Sequence, residues 1–438
     1  MGARGRSPIP NLDPGAIGAR IAELCACGNR YVGSPGEAQA RELIHSMFRQ
    51  AGLEQVRIEE HTVLACLPGA AICELADGTL RFQASVLQFT AAVRAEAEIT
   101  YLGSGSRAEL DWAWENGLEI GGRIAVAHSY WPFEFVEELV ERGAAGLVIL
   151  ADTPGGQVPH FTARMYPPGE PYPIPGVVVE QADGRRLLAA LADGTRRLRI
   201  GHDSDYQRVA TGNVVGEIPG GSLPAERVVL GAHYDTQYAG VGACDNASGV
   251  ATLVELAATW RSAPQPERTL VFAAFADEEH GFQGAIDYCR RHAAELDQTV
   301  GMVNLDALGW LMPGERSLHA DPSIRELAIE CASRVGWVPE NEFEASLMQA
   351  SDHNPFIDAG VPACFFWHYP PQHPYYHAEG DRLELVALDA VAAAGTAAAA
   401  TAHTLANDRE LEIGRSRPSV RRLDLTPGSN GSSDTPRQ

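Results

Sequence analysis

Three short apolar runs in the middle of this chain each stop at a carboxylate or an imidazole. Val228-Val-Leu230 precedes His233 and Asp235, Thr269 through Phe275 precedes Asp277, Glu278 and Glu279, and Val300 to Leu305 precedes Asp306. Runs this short and this rich in β-branched and aromatic residues read as buried strands, and segments of helical length separate them. Alternation of this kind builds a mainly parallel sheet covered by helices on both faces, with sites outside the carboxyl ends of the strands. Three strand ends therefore bring acidic and imidazole groups to one edge. Asp245-Asn-Ala-Ser-Gly249 and Tyr376-His377 carry the same kinds of group.

Imidazole and carboxylate donors with no cysteine cluster nearby suit Zn²⁺ or a similar cation, and a shared carboxylate can hold two such ions roughly 3.5–4 Å apart. The inventory fits such a pair. Asp245 is the bridge, His233 and Asp306 complete one ion, and Glu279 and His377 complete the other. Glu278, adjacent to a ligand, is left free to act as general base. Asp235, two residues past His233, is placed to orient that imidazole rather than to bind metal. Each motif has an ordinary structural explanation when taken alone, since adjacent glutamates commonly open a solvated helix; the metal reading rests on all five together. Asn246-Ala-Ser248 matches a glycosylation acceptor, but its place beside the bridging carboxylate argues for coincidence. His353 is expected either to hydrogen-bond near the site or to cap the helix that Ser351 begins, and His368 and His373 read as loop residues.

The segments Gly-Ala-His233-Tyr-Asp235-Thr, Gly-Ala-Cys-Asp245-Asn-Ala-Ser-Gly249, Phe-Ala-Asp-Glu278-Glu279-His-Gly281, Asn-Leu-Asp306-Ala-Leu-Gly309, Ser351-Asp-His353-Asn-Pro-Phe356 and Tyr-Tyr376-His377 resemble, in order and spacing, the M28 family of zinc metallopeptidases. The resemblance covers most of residues 207 to 408. It departs from the family at Ala378, where Thr usually follows the last histidine. It implies an α/β, three-layer zinc exopeptidase fold with a mainly parallel mixed sheet and two zinc ions per chain. It also implies a peptide substrate and a role for Tyr376 in stabilising the tetrahedral oxyanion. An aminopeptidase is the leading expectation. A carboxypeptidase of the same family would need an arginine facing the site, with Arg316, Arg325, Arg334 and Arg382 as candidates. A glutaminyl cyclase and a non-catalytic scaffold are the remaining alternatives.

Residues 94–206 form a different unit in which Gly-Gly-Arg-Ile-Ala-Val, Gly-Ala-Ala-Gly-Leu-Val-Ile-Leu and Ile-Pro-Gly-Val-Val-Val resemble a β-rich protease-associated (PA) domain. The expected organisation is a peptidase domain from 10–93 and 207–408, an inserted PA-like domain over 94–206, and a disordered tail over 409–438. Phe133 to Arg142 is expected as one amphipathic helix, and the Ala-rich stretch from Val386 to Ala406 as a packed helix rather than a membrane span.

The 34 basic residues, all arginine, face 57 acids, for a formal charge of -23. That balance disfavours nucleic acid and anionic membrane as partners, and the lack of lysine removes Schiff-base chemistry. The eight cysteines lack the spacing of a disulfide framework or zinc module, and Cys25-Ala-Cys27 is too tight for an ordinary disulfide. With no apolar signal core at the amino end, the expectation is a cytoplasmic protein, with homo-oligomerisation left open.

Overall fold

The computed structural model describes residues 12–129, 131–166, 168–311, 315–344, 350–368 and 374–416. Its strands fall into two sheets. The first runs in the order Glu54–Leu67, Asp205–Ile218, Arg268–Phe275, Leu223–His233, Thr299–Leu305, Ala363–His368, Arg316–Ala320 and Asn341–Glu344. Its middle four strands are mutually parallel, and antiparallel pairs flank them on both sides. Alternation along Leu223–His233 sends Val228 and Leu230 to one face and Val229 to the other. The first face packs under helices Pro14–Ala26, Pro35–Gln50, Gly249–Arg261, Arg325–Arg334 and Leu388–Asn407. The second face packs under Gln283–Arg291 and His353–Asp358, through Phe282, Tyr288, Phe356 and Ile357. The result is three layers, as the alternation of strands and helices predicts.

The Ala-rich helix belongs to the packed core. A Cβ at its Gly395 would stand 2.5 Å from both Leu12 Cδ1 and Thr252 Cγ2, so only glycine lets the two helices approach this closely. Among the described residues no helix is long and apolar enough to cross a membrane. All eight cysteines are free, and six of them are buried.

The second sheet has nine strands, in the order Arg81–Phe82, Ala71–Leu75, Arg197–His202, Arg94–Tyr101, Ile124–His128, Gly146–Leu150, Gly176–Val179, Ala84–Gln88 and Phe161–Thr162. Residues 71–88, grouped by sequence with the first unit, therefore hydrogen-bond into the second sheet: Cys73 lies opposite Ile200, and Val86 opposite Val177. Alternating apolar residues reveal a strand but not its partner, so the change of sheet falls nearer residue 68 than 94. The helix expected over 133–142 is also divided. A 3-10 turn at Pro132–Glu134 is followed by Val136–Glu141, because Phe135 at φ -133° leaves the helical region.

At the carboxyl end, Arg415 donates to the carbonyls of Leu296 and Thr299, and the buried Ser416 hydroxyl donates to Asp321. Residues up to 416 thus pack on the domain, while 417–438, which make up most of the tail expected to be disordered, lie outside the described residues.

His202 is buried where the second sheet returns to the first. Its Nδ1 accepts from the Ser204 amide and its Nε2 meets Thr90 Oγ1 at 3.0 Å, a pattern that suits the neutral ring. Burial pushes its pKa down from 6.5 to about 4, and burial pushes His319 down to about 3. The unfolded chain takes up these protons below about 6.5 while the folded chain does not, so the stability they confer is complete above that pH and is lost as pH falls toward about 4. Urea unfolding at pH 7 and pH 5 should show the wild type weakening at the lower pH, and His202→Gln should lose measurably less between the two.

Candidate metal centre

The parallel register aligns the groups that the strands deliver. His233, the last residue of its strand, lies opposite Phe275, and Gly231 lies opposite Asn304, so the ends leading to Glu278, Glu279 and Asp306 stand side by side. Asp277, in the left-handed region at φ +56°, turns the chain sharply after Phe275. Asp235 fastens that turn, accepting the amides of Glu278 at 3.1 Å and Glu279 at 3.3 Å. It also sits 3.5 Å from His233 Nδ1, so one buried carboxylate aligns the imidazole and both glutamates.

Asp245 arrives on the turn before helix Gly249–Arg261. Gly242, at φ +51°, permits the turn, since a Cβ there would lie 2.1 Å from the Asp245 carbonyl oxygen. The buried Asp381 accepts the amides of Cys244 and Asp245 at 2.9 and 3.0 Å, and burial raises its own pKa to about 7. The fully buried Arg30 donates to the carbonyls of Tyr234, Val241 and Gly242, which ties the amino-terminal helices to this loop.

Five of the expected ligands and the expected base converge. Asp245 Oδ1 is 3.2 Å from His233 Nε2, and Asp245 Oδ2 is 3.3 Å from His377 Nε2. Asp306 Oδ1 is 3.1 Å from His233 Nε2, and Glu279 Oε2 is 3.2 Å from His377 Nε2. Glu278 Oε2 lies 4.0 Å from His233 Nε2. These six form two groups of converging donors, His233 with Glu278 and Asp306, and Asp245 with Glu279 and His377. Tyr376 stacks on His377 at 3.6 Å between ring centroids, and Trp131 of the second sheet's loop meets Tyr376 at 6.1 Å.

The electrostatics are those of a cation site. Burial pushes Glu278 and Glu279 well above the ordinary carboxyl range and raises Asp306. Burial alone would also raise Asp245, but the imidazoles of His233 and His377 that face its two oxygens prevail and lower it. Burial would lower His233; the charges of Asp306 and Glu278 outweigh it and drive the imidazole well above its usual value. Four carboxylates thus share two imidazoles out of water, an arrangement that needs further positive charge. His377 points the same way: Nε2 has carboxylate oxygens at 3.2 and 3.3 Å yet makes no hydrogen bond with either. The residues fit a pair of divalent ions in donor type, charge and placement.

Several supporting groups lay outside the sequence reading. Ser351 Oγ donates to Asp306 Oδ2 at 2.9 Å and accepts from Asn304 Nδ2 at 2.8 Å, so the start of its motif serves the site. Asp352, buried beside it, is pushed well above its ordinary value by burial and by the charges of Asp235 and Asp306. His353 turns away and stacks on Phe365, so it joins neither donor group. His368 ends a strand instead of lying in a loop, and its Nδ1 accepts the Gly309 amide; His373 lies outside the described residues. Asn246 is buried and bonded to Leu305 and Gly249, which makes it inaccessible as a glycosylation acceptor.

Residues 213–402 match peptidase family M28. Over this stretch the chain is similar to that family's peptidases, and its three-layer α/β architecture is the fold of a solved M28 peptidase precursor from Shewanella amazonensis, which superposes with a TM-score of 0.73 and 20% identity over 92% of this chain and 95% of its own. Aminopeptidase YwaD of Bacillus subtilis is 25% identical over 384 residues, 84% of this chain and 80% of its own. Carboxypeptidase Q of Mus musculus is 23% identical over 393 residues, 82% and 78% respectively. Leupeptin-inactivating enzyme 1 of Streptomyces exfoliatus is 35% identical over 156 residues, which span only 35% of each chain. The solved structure of BSAP, a zinc aminopeptidase from Bacillus subtilis, superposes with a TM-score of 0.67 and 20% identity over 94% of this chain and all of its own.

Losing the Ser351 hydroxyl frees Asp306 Oδ2 without touching a donor atom. Ser351→Ala should therefore weaken binding of a divalent ion about 10- to 100-fold, as read by competition with a chelator, while the apo protein keeps its far-ultraviolet circular dichroism.

Proposed function

We propose that this chain is a di-zinc aminopeptidase that removes amino-terminal residues from peptides. The observation that carries the reading is Asp245, whose two oxygens each face the imidazole of a different donor group. In this reading His233, Asp306 and Asp245 would hold one ion, and His377, Glu279 and the same Asp245 would hold the other. Bound zinc would polarise the scissile carbonyl and make the attacking water more acidic.

The chain's own residues do the rest. Glu278 stands at the edge of its group, 4.0 Å from the nearest imidazole nitrogen. Burial raises its pKa, which suits a carboxylate that takes a proton from the attacking water and returns it to the departing amine. Tyr376, held against His377, offers its phenol to the oxyanion. The excess of buried carboxylate also favours a substrate that brings a free α-amino group. The second sheet serves in this reading as a PA-like insert that rims the site, since Phe161 and Trp131 reach His377 and Tyr376.

The carboxypeptidase alternative has support in the likeness to carboxypeptidase Q. The four arginines considered for substrate carboxylate are engaged elsewhere, however: Arg316 with Glu340, Arg325 with Glu342, Arg334 with Glu330, and Arg382 with the Glu379 carbonyl.

Mass spectrometry of one short peptide, free or acetylated at its amino end, separates the readings after incubation with zinc-loaded protein. Stepwise loss from the amino end of the free form alone is expected, and trimming of both forms from the carboxyl end would replace this proposal with a carboxypeptidase. Glu278→Gln should retain zinc and lose turnover by about two orders of magnitude or more. Near-native activity in that variant would remove Glu278 from its role.

A further inference from the structure

The donor group around Glu279 is joined to the second sheet by an unbroken run of buried hydrogen bonds. Gln237 gives Glu279 two of them, its backbone N–H to Oε1 at 3.1 Å and its side-chain amide to Oε2 at 3.1 Å. Gln237 Oε1 in turn accepts from Gln88 Nε2 at 2.6 Å. Gln88 closes the strand Ala84–Gln88 of the second sheet, lies opposite Thr162, and accepts the Ala163 amide on its carbonyl. Its side-chain oxygen then meets the Tyr31 hydroxyl at 2.8 Å and His280 Nε2 at 2.7 Å, and His280 Nδ1 lies 2.7 Å from Asp277 Oδ1. Gln88, Gln237, Glu279, His280 and Asp277 are each at most 3% exposed, so water does not replace any of these bonds.

The direction of every bond follows from one end. A carboxylate only accepts, so the face of Gln237 toward Glu279 must be its NH₂, and its oxygen must face Gln88. Gln88 must then present its own NH₂ to Gln237, leaving its oxygen to accept from His280 beside the Tyr31 hydroxyl, which also reaches the Cys66 carbonyl. Among natural side chains of this length, glutamine alone offers a donor on one side and an acceptor on the other at this point without having to take up a proton. Glutamate has the same shape but would set an acceptor against the Gln237 oxygen.

We infer that Gln88, a residue of the second sheet, is a positioning residue that holds the Glu279 carboxylate in its metal-binding orientation through Gln237. The inference rests on the reading of Glu279 as a zinc ligand. The second sheet thereby acts on the metal centre itself, beyond any part its loops play at the rim. The consequence is selective: the ion held by Glu279 and His377 depends on Gln88, and the ion held by His233 and Asp306 does not.

Zinc titration of the full chain against a competing chelator, resolving the two sites, tests this. Gln88→Glu and Gln88→Met are compared with wild type, with Glu279→Gln, and with Ser85→Ala, which removes a hydrogen bond to the Pro159 carbonyl from the same strand outside the run. Melting of the zinc-free proteins identifies any variant that fails to fold, and the uncharged Gln88→Met stands in if Gln88→Glu does. The expected result is a loss of about 10- to 100-fold in one zinc affinity for the Gln88 variants, with the other site and Ser85→Ala unchanged. Wild-type affinity in the Gln88 variants, or equal weakening of both sites, while Glu279→Gln loses one ion, would overturn the positioning role and leave the ligand reading standing. Two wild-type affinities in Glu279→Gln would remove the ligand reading and this inference with it.

Discussion

The rest of the site depends on a problem of buried charge. Asp245, Glu278, Glu279 and Asp306 are gathered out of water around only two imidazoles, and their mutual repulsion has to be met by something. Short contacts from His233 and His377 meet part of it at Asp245, while the other three carboxyls are driven toward their protonated forms. A pair of divalent ions would discharge the whole cluster at once, which is why the donor types and the charge imbalance lead to the same conclusion.

A cluster under such repulsion keeps its geometry only if the backbone around it is pinned. Neutral donors and one cation do this without entering the centre. Backbone amides hold Asp235 and Asp381, the Ser351 hydroxyl holds Asp306, and Gln237 holds Glu279. Arg30 spends its entire guanidinium on three loop carbonyls. Each of these groups comes from a different stretch of chain, so the centre is where the amino-terminal helices, the parallel strands, the second sheet and the carboxyl-terminal loop are locked to one another.

The candidate donors were legible because chemistry and periodicity coincide there. A β-branched run that ends in His233 or Asp306 announces both the strand and what its end carries, and the parallel order then makes convergence at one edge a consequence of topology. The supporting residues gave no such signal. Gln88 closes an ordinary alternating strand, Asp381 follows a glycine in a loop, and Ser351 looks like a helix start. Their meaning lies in a partner more than a hundred positions away for Gln88 and Asp381, and 45 away for Ser351. The misplaced boundary at residues 71–88 has the same origin, since alternation is a property of one strand and pairing is a property of two.

The sequence by itself determined the layered α/β class, which histidines and carboxylates gather as candidate donors and the side of the sheet on which they do so, because side-chain period, strand length and donor chemistry are local properties. Tertiary structure alone decided which strands share a sheet, that His353 turns from the site while Ser351 enters it, and that a glutamine of the second sheet is linked to Glu279 through Gln237. Those outcomes are settled by which buried donor finds which acceptor, and that competition is resolved only when distant segments are packed together.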